Sequence, residues 1–242
     1  MIIVISKRWL LLAAAACCIA FLGSTAFLES QIAKPVFSAS EATALTVVLD
    51  PGHGGEDGGA VSPDGVEESG LNLEIALRLQ ELLRFSGVKT QMTRIADVSI
   101  HQEEARTIQE KKASDLRQRV EIVNGIPGAM LLSIHQNSLP SSVVTYGAQA
   151  FWNQQAGAER WAVSIQDALN QAINTHRAKE AKPIASTIYL MRQITAPGVL
   201  VECGFLSNPE ETLRLQQAGH QCRLAVAITA GFFKGLSEGN ES

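Results

Sequence analysis

One stretch limits the folds open to this chain more than any other: Thr46 to Gly59, TVVLDPGHGGEDGG. A β-branched apolar run, Val47-Val48-Leu49, halts at Asp50-Pro51-Gly52, and a histidine follows at once among glycines. That pattern reads as a buried strand ending in a sharp turn, with one imidazole, His53, presented at the carboxyl end. Glycine on both sides permits φ > 0 and the close approach of another group. Strand carboxyl ends are where open α/β sheets place their ligands.

Beyond this stretch the chain alternates helix and strand. Leu71 to Phe85 sets Leu71, Ile75, Leu79 and Leu82 at helical spacing, with Ser69 as a candidate cap and Asn72 in the first turn. Val88 to Thr93 is a short strand, and Ile95 to Ala113, polar and without a firm period, is a loop with some helix. Ser114 and Asp115 then open a helix with Leu116, Val120 and Val123 on one side and Arg117 and Arg119 on other faces. Gly128 to Ile134 is apolar without alternation, as a strand covered on both faces must be.

Gly147 to Trp152 and Ser186 to Met191 are further strand candidates. Between them, Glu159 to Thr175 is a helix with Trp161, Ile165, Leu169 and Ile173 in phase. Gly198 to Val201 is apolar and stops at Glu202. Asn208-Pro209-Glu210-Glu211 starts a helix, with a cap, a proline in the first turn and a glutamate three residues after the cap. A last helix carries Leu224, Ile228 and Phe232. The alternation predicts an α/β fold: a single domain with a mostly parallel central sheet flanked by helices.

The 242 residues, 46% of them hydrophobic and 18% charged, suffice for a sizeable core. A net charge of −4 argues against nucleic acid as a partner, since neutralising phosphates needs a concentrated basic surface. Cys203 and Cys222 lack the spacing of a thiolate zinc site and read as two buried free thiols rather than a disulfide; Cys17 and Cys18 lie in an apolar leader. That leader, residues 1–28, has Lys7 and Arg8 ahead of a long apolar run, the pattern of an export signal or a retained membrane anchor. Either outcome makes the protein extracytoplasmic and limits membrane contact to this segment. Residues 29–44 read as a linker and 45–238 as the catalytic domain.

Three strand ends then converge. His53 follows the first strand, His135 the Met130–Ile134 strand, and Glu202 ends the Val199–Val201 strand, so a parallel sheet puts all three on one rim. Glu68, fifteen residues beyond His53, lies in the loop leading into the first helix, close enough to fold back. Two imidazoles and a carboxylate leave one position open in a tetrahedral zinc sphere, the arrangement of catalytic sites. A second carboxylate outside the sphere can move the proton of a zinc-acidified water. Singly, each of the four has a plain reading: a polar loop histidine, a satisfied strand-end histidine, a solvated charge beside Glu67, a partner for an arginine. His101, His176 and His220 sit in polar or helical contexts and read as surface residues.

The runs VVLDPGHGGEDGGA, GVEESGLNLEIALRLQELL, Met92-Thr93-Arg94, DLRQRVEIVN, LLSIHQNS and PGVLVECGFLSNPEE resemble, in this order, the zinc-dependent N-acetylmuramoyl-L-alanine amidases. The resemblance implies hydrolysis of the bond between the muramic acid lactyl group and L-alanine of peptidoglycan. By position it makes His53, Glu68 and His135 the Zn²⁺ ligands and Glu202 the catalytic glutamate. Glu68 is preferred to Glu67 because it stands four residues before Asn72-Leu73.

Finer likeness, in KKASDLRQRVEIVN, YGAQAFW and IYLMRQITAPGVLVECGFLSNPEE, points to the germination-specific branch of spore formers. This implies work on spore cortex, where stem removal precedes muramic-δ-lactam formation, and a lipoprotein that supports activity in some relatives. Asn137, Arg177, Lys182 and Arg192 are candidate substrate contacts, and Lys179 joins the basic stretch that could hold stem carboxylates. Two other readings stand beside this one: a different zinc amide hydrolase, such as a carboxypeptidase or sugar deacetylase, and a catalytically dead wall-binding protein.

Overall fold

The computed structural model describes residues 45–239, so the leader, the linker and the signal-or-anchor question lie outside the described residues. Six strands form one sheet: β1 Thr46–Pro51, β2 Lys89–Met92, β3 Ala129–Asn137, β4 Gln149–Trp152, β5 Lys182–Pro183 and β6 Gly198–Phe205. Their order is β2-β1-β3-β6-β4-β5. The first four neighbours run parallel, while β4 lies antiparallel to β6 and carries β5 parallel beside it. The helices are α1 Glu68–Phe85, α2 Ile108–Asn124, α3 Ala158–Ala172, α4 Tyr189–Gln193, α5 Pro209–Leu215 and α6 Ala218–Glu238.

Strand alternation divides the core into two layers. Val47 and Leu49 of β1, with Met130, Leu132 and Ile134 of β3, face α1, α3 and α6. Val48, Leu131 and Leu200 point the other way, onto Val123 of α2 and Leu190 and Met191 of α4. Because both faces are covered, β1 and the first six residues of β3 are buried throughout, which is why those segments read as unbroken apolar runs. The final helix buries Leu224, Ile228 and Phe232, as its spacing predicted.

Several boundaries differ from the sequence reading. Helix α2 begins not at Ser114 but at Ile108, where Thr107 and Glu110 form a reciprocal capping box. Its first turns are exposed and polar, so they carry no apolar period. Ser114 and Asp115 instead bind the preceding loop, at Gln102 N and at Ser99 Oγ and Ile100 N. Arg119 is not on an outer face: it stands three residues after Leu116 and four before Val123, on the same stripe, and is buried.

The strand expected over Ser186 to Met191 is absent; its second half is the short helix α4, which buries Leu190 and Met191, and the sheet edge is taken by Lys182–Pro183. Glu68 is the first residue of α1, and Glu67 rather than Ser69 precedes the helix. His220, read as a surface residue, is only 6% exposed. Cys203 is buried and free as expected, but Cys222 is exposed.

Candidate metal centre

The site grows from the end of β1. Asp50 is buried at the end of a hydrophobic strand, and an isolated charge there would be prohibitively costly. Its carboxylate accepts from Thr93 Oγ1 and Ser133 Oγ, each at 2.8 Å, and pairs with the buried Arg119, which also holds Asp115. Burial alone would raise the Asp50 pKa; the guanidinium and the two hydroxyls turn the shift downward.

Two arginines then fix the turn that follows. Arg119 donates to the carbonyls of Pro51 and His53, and Arg94 to those of Pro51, Gly52 and Ser69. This clamp holds His53 at φ 61, the left-handed region in which a non-glycine residue costs on the order of 1 kcal/mol. The glycines around it are steric necessities. A Cβ on Gly52 would overlap the His135 ring, and one on Gly59 (φ +75) would lie 2.6 Å from Glu68 Oε2 and 2.7 Å from His53 Cδ2.

Glu68, at the positive end of α1, is 3% exposed. Its Oε1 accepts from Gln136 N at 3.0 Å and Asn72 Nδ2 at 3.1 Å and lies 2.9 Å from His135 Nδ1. Its Oε2 accepts from Ala60 N at 2.9 Å and lies 3.4 Å from His53 Nε2. Burial would push this carboxyl up, but His135, His53 and the Ala60 N–H together hold it down at about 2. Glu67, by contrast, is exposed.

His53 Nδ1 lies 3.0 Å from Asp57 Oδ2, and the other oxygen of that carboxylate, Oδ1, takes Lys112. A carboxylate there keeps the proton on Nδ1 and leaves the Nε2 lone pair facing Glu68. His135 and Glu202 stand opposite one another in the β3–β6 register, within their strands rather than beyond them, because β3 runs on to Asn137 and β6 to Phe205.

The donor atoms of His53, Glu68 and His135 all lie within 4.8 Å of one another. Donors sharing one tetrahedral ion, each about 2.1 Å from it, are about 3.4 Å apart. Glu68 meets the two imidazoles through different oxygens, Oε1 at 2.9 Å from His135 Nδ1 and Oε2 at 3.4 Å from His53 Nε2, and two nitrogens with a carboxylate form a donor set that suits zinc.

Glu202 differs from Glu68 in its partners. Its Oε2 is sealed from solvent and has no hydrogen bond. Burial raises its pKa to about 7, the Glu68 charge adds to the rise, and His135 and Lys179 only partly oppose it. Glu202 faces a cavity of about 430 Å³ shared with His53, His135, Ile188, Tyr189 and Leu190.

The four candidate substrate contacts do not line this cavity. Arg177, Lys182 and Arg192 are exposed, although Arg192 sits over the ring of Tyr189 at 5.8 Å. Asn137 is half-buried at the end of β3, where its carbonyl accepts from Leu206 N. Lys179 is nearer the chemistry: its Nζ donates to Gly147 O, lies 4.6 Å from the Phe205 ring centroid, and its charge acts on Glu202. The sequence reading missed Asp50, Asp57, Arg94 and Arg119 as parts of the site. Arg119 was legible from its stripe on α2, and Asp57 from its position four residues after His53; Asp50 and Arg94 stand in the quoted VVLDPGHGG and Met92-Thr93-Arg94 runs, but nothing local gives their roles.

A family model described as N-acetylmuramoyl-L-alanine amidase matches residues 47–234. The germination-specific N-acetylmuramoyl-L-alanine amidase of Bacillus subtilis is 39% identical over 193 residues, 79% of this chain and 80% of that one. The CwlD amidase of Clostridioides difficile, solved in complex with the GerS lipoprotein, superposes with a TM-score of 0.77 at 36% identity, over 80% of this chain and 99% of that one. The amidase AmiC2 of Nostoc punctiforme gives 0.66 at 30% identity, over 80% and 97%.

Proposed function

From a chain that belongs to the N-acetylmuramoyl-L-alanine amidase family, we propose a zinc-dependent enzyme that acts outside the cytoplasm on spore cortex peptidoglycan. The amidase activity follows from family membership; the metal, the residue roles and the setting are the proposal. The germination-specific relative supports the cortex assignment, and stem removal ahead of muramic-δ-lactam formation is part of the proposal. A lipoprotein partner is proposed from the CwlD–GerS complex. Among the described residues no helix is long and apolar enough to cross a membrane, so any anchor is assigned to the leader.

His53, Glu68 and His135 would hold the zinc. When bound, the ion supplies Lewis-acid polarisation of the scissile carbonyl and acidification of a water. Glu68 stays anionic because four groups converge on its oxygens. Asp57 and the two arginines keep the His53 ring and its loop in place. The Glu202 carboxylate is the free base of the rim: it takes the proton of the attacking water and returns it to the nitrogen of the departing L-alanine. A carboxyl whose pKa lies near 7 suits both halves of that transfer.

The observation that carries this reading is the contrast within one cluster: three donor groups drawn together, and beside them a carboxylate oxygen with no partner. The test is zinc content and product mass analysis on cortex-type peptidoglycan, using protein without the leader. The expected outcome is one zinc per chain and intact stem peptides beginning with L-alanine. Cleavage inside the stem or loss of acetyl groups would move the protein to another hydrolase class, and absence of turnover with zinc bound would leave a wall-binding protein.

A further inference from the structure

The cavity beside Glu202 has two unlike sides. Its floor and rim are polar, with Asp50, His53, Ser133, His135 and Glu202. Its other side is apolar, built by Leu116 of α2 with Ile188, Tyr189, Leu190 and Met191 at α4. Tyr189 is half-buried there, and its hydroxyl makes no hydrogen bond among the described residues. Arg192, outside the cavity, rests over the Tyr189 ring at 5.8 Å and donates from Nη1 to Ser186 O at 3.3 Å. The ring is thus braced by a neighbour and still belongs to the cavity wall. Metal ligation and proton transfer leave this wall unused.

Charge decides which part of a muramyl peptide such a cavity can take. Four carboxylates line it, Asp50, Asp57, Asp115 and Glu202, against two cations, Lys112 and Arg119. Both cations are already paired: Lys112 Nζ lies 2.8 Å from Asp57 Oδ1, and Arg119 holds Asp50 and Asp115. The proposed metal would add positive charge only at the rim, among His53, Glu68 and His135. A stem peptide entering between α2 and α4 would bring its carboxylates to a wall with no free cation, at a desolvation cost that nothing offsets. An N-acetylmuramyl residue whose lactyl carboxyl is tied up in the amide carries no charge and meets no such cost. The unpaired cations lie elsewhere, on the α3 side of the sheet. Lys179 is hydrogen-bonded to Asn170 of α3, the charges of Arg177 and Lys182 act on it, and none of these three makes an ion pair among the described residues.

We propose that Tyr189 is a specificity-determining residue that carries the sugar ring of the N-acetylmuramyl group in the cavity between α2 and α4, while the stem peptide leaves towards Lys179. This assignment rests on the amidase reading, since it takes the sugar as the acyl side of the bond cut beside Glu202. The face of an aromatic ring is partially negative and suits the C–H face of a pyranose. Packing the two together removes apolar surface from water and leaves the sugar hydroxyls to the polar floor. The volume, about 430 Å³, lies in the range of small-ligand sites, whose walls are mostly apolar and aromatic with a few placed polar groups.

The test compares N-acetylmuramoyl-L-alanyl-D-glutamate with D-lactoyl-L-alanyl-D-glutamate, which keeps the scissile bond and the stem but lacks the sugar. The zinc-loaded protein should favour the muramyl compound. Tyr189→Leu, which keeps apolar bulk on α4, should raise the KM for that compound about tenfold, with kcat and zinc content unchanged. Parent and variant should handle the lactoyl compound equally, and Tyr189→Trp should retain the preference. Calorimetry on the Glu202→Gln protein reads the same preference as binding, without turnover. If neither compound is cleaved by the parent while calorimetry still shows the preference, and its loss in Glu202→Gln/Tyr189→Leu, the hydrolase reading falls and the sugar site stands. The assignment is overturned if the two compounds bind equally, if Tyr189→Leu weakens both alike, as a structural or peptide-holding role would, or if it weakens neither.

Discussion

Glu68 and Glu202 are the same functional group in the same cluster, and their protonation runs in opposite directions. Both are removed from water, and burial alone would raise both. On the β1–β3 side of the rim, backbone and side-chain N–H groups and two imidazoles meet Glu68 and bring it to about 2. On the β6 side nothing donates to Glu202 Oε2, and it rises to about 7. Desolvation is common to the two sites; the supply of donors decides the outcome. A permanently anionic carboxylate suits holding a cation, and a carboxylate near neutrality suits moving a proton.

That contrast can be broken by substitution, the largest effect first. Glu202→Gln should lower turnover by about two to four orders of magnitude, with zinc stoichiometry by metal analysis unchanged. Retained turnover would mean that the unpartnered oxygen is incidental. Next, Arg119→Met should destabilise the fold by about 3–5 kcal/mol in denaturant titration, because it strands Asp50 as a buried unpaired charge. A smaller loss would show that Arg94 alone secures the His53 turn. Asp57→Ala should weaken zinc binding by about 10–100-fold in competition with a chelator, while leaving Glu202 untouched.

The metal-free protein offers a sharper comparison through pH. Glu202 has its pKa raised from 4.5 to about 7, so its contribution to stability is present below 4.5 and lost as pH climbs through 7. Glu68 is lowered from 4.5 to about 2, so its contribution is present above 4.5 and lost as pH falls towards 2. Urea unfolding across this range should show Glu202→Gln removing the alkaline loss and Glu68→Gln removing the acid loss. Identical profiles for the two variants would erase the distinction. The smallest effect is a control away from the rim: Thr107→Ala should cost about 1 kcal/mol through loss of the α2 cap, without changing zinc affinity.

Much of this arrangement was readable before any coordinates. The β-branched run before Asp50 and the apolar run before His135 identified their strands, and parallel alternation put His53, His135 and Glu202 on one rim. Less visible was everything that depends on what lies across a gap in sequence. Arg119 looked like one more helix charge because its counter-charge, Asp50, is 69 residues away. The start of α2 was hidden by exposed turns with no apolar period, and α4 by a segment too short to show one. His220 looked solvated because helix spacing does not reveal which neighbours close over a polar side chain.

By itself, then, the order of residues determined the sheet's central strands, the side of the sheet where the chemistry gathers, and the kinds of donor atom available there. Those follow from local periodicity, turn residues and the even geometry of parallel strands. Only the tertiary structure decided which glutamate is held anionic and which is left to titrate. The reason is that a pKa in a protein interior depends on donors brought in from elsewhere in the chain, here Ala60, Gln136 and Asn72, and no local pattern encodes their convergence.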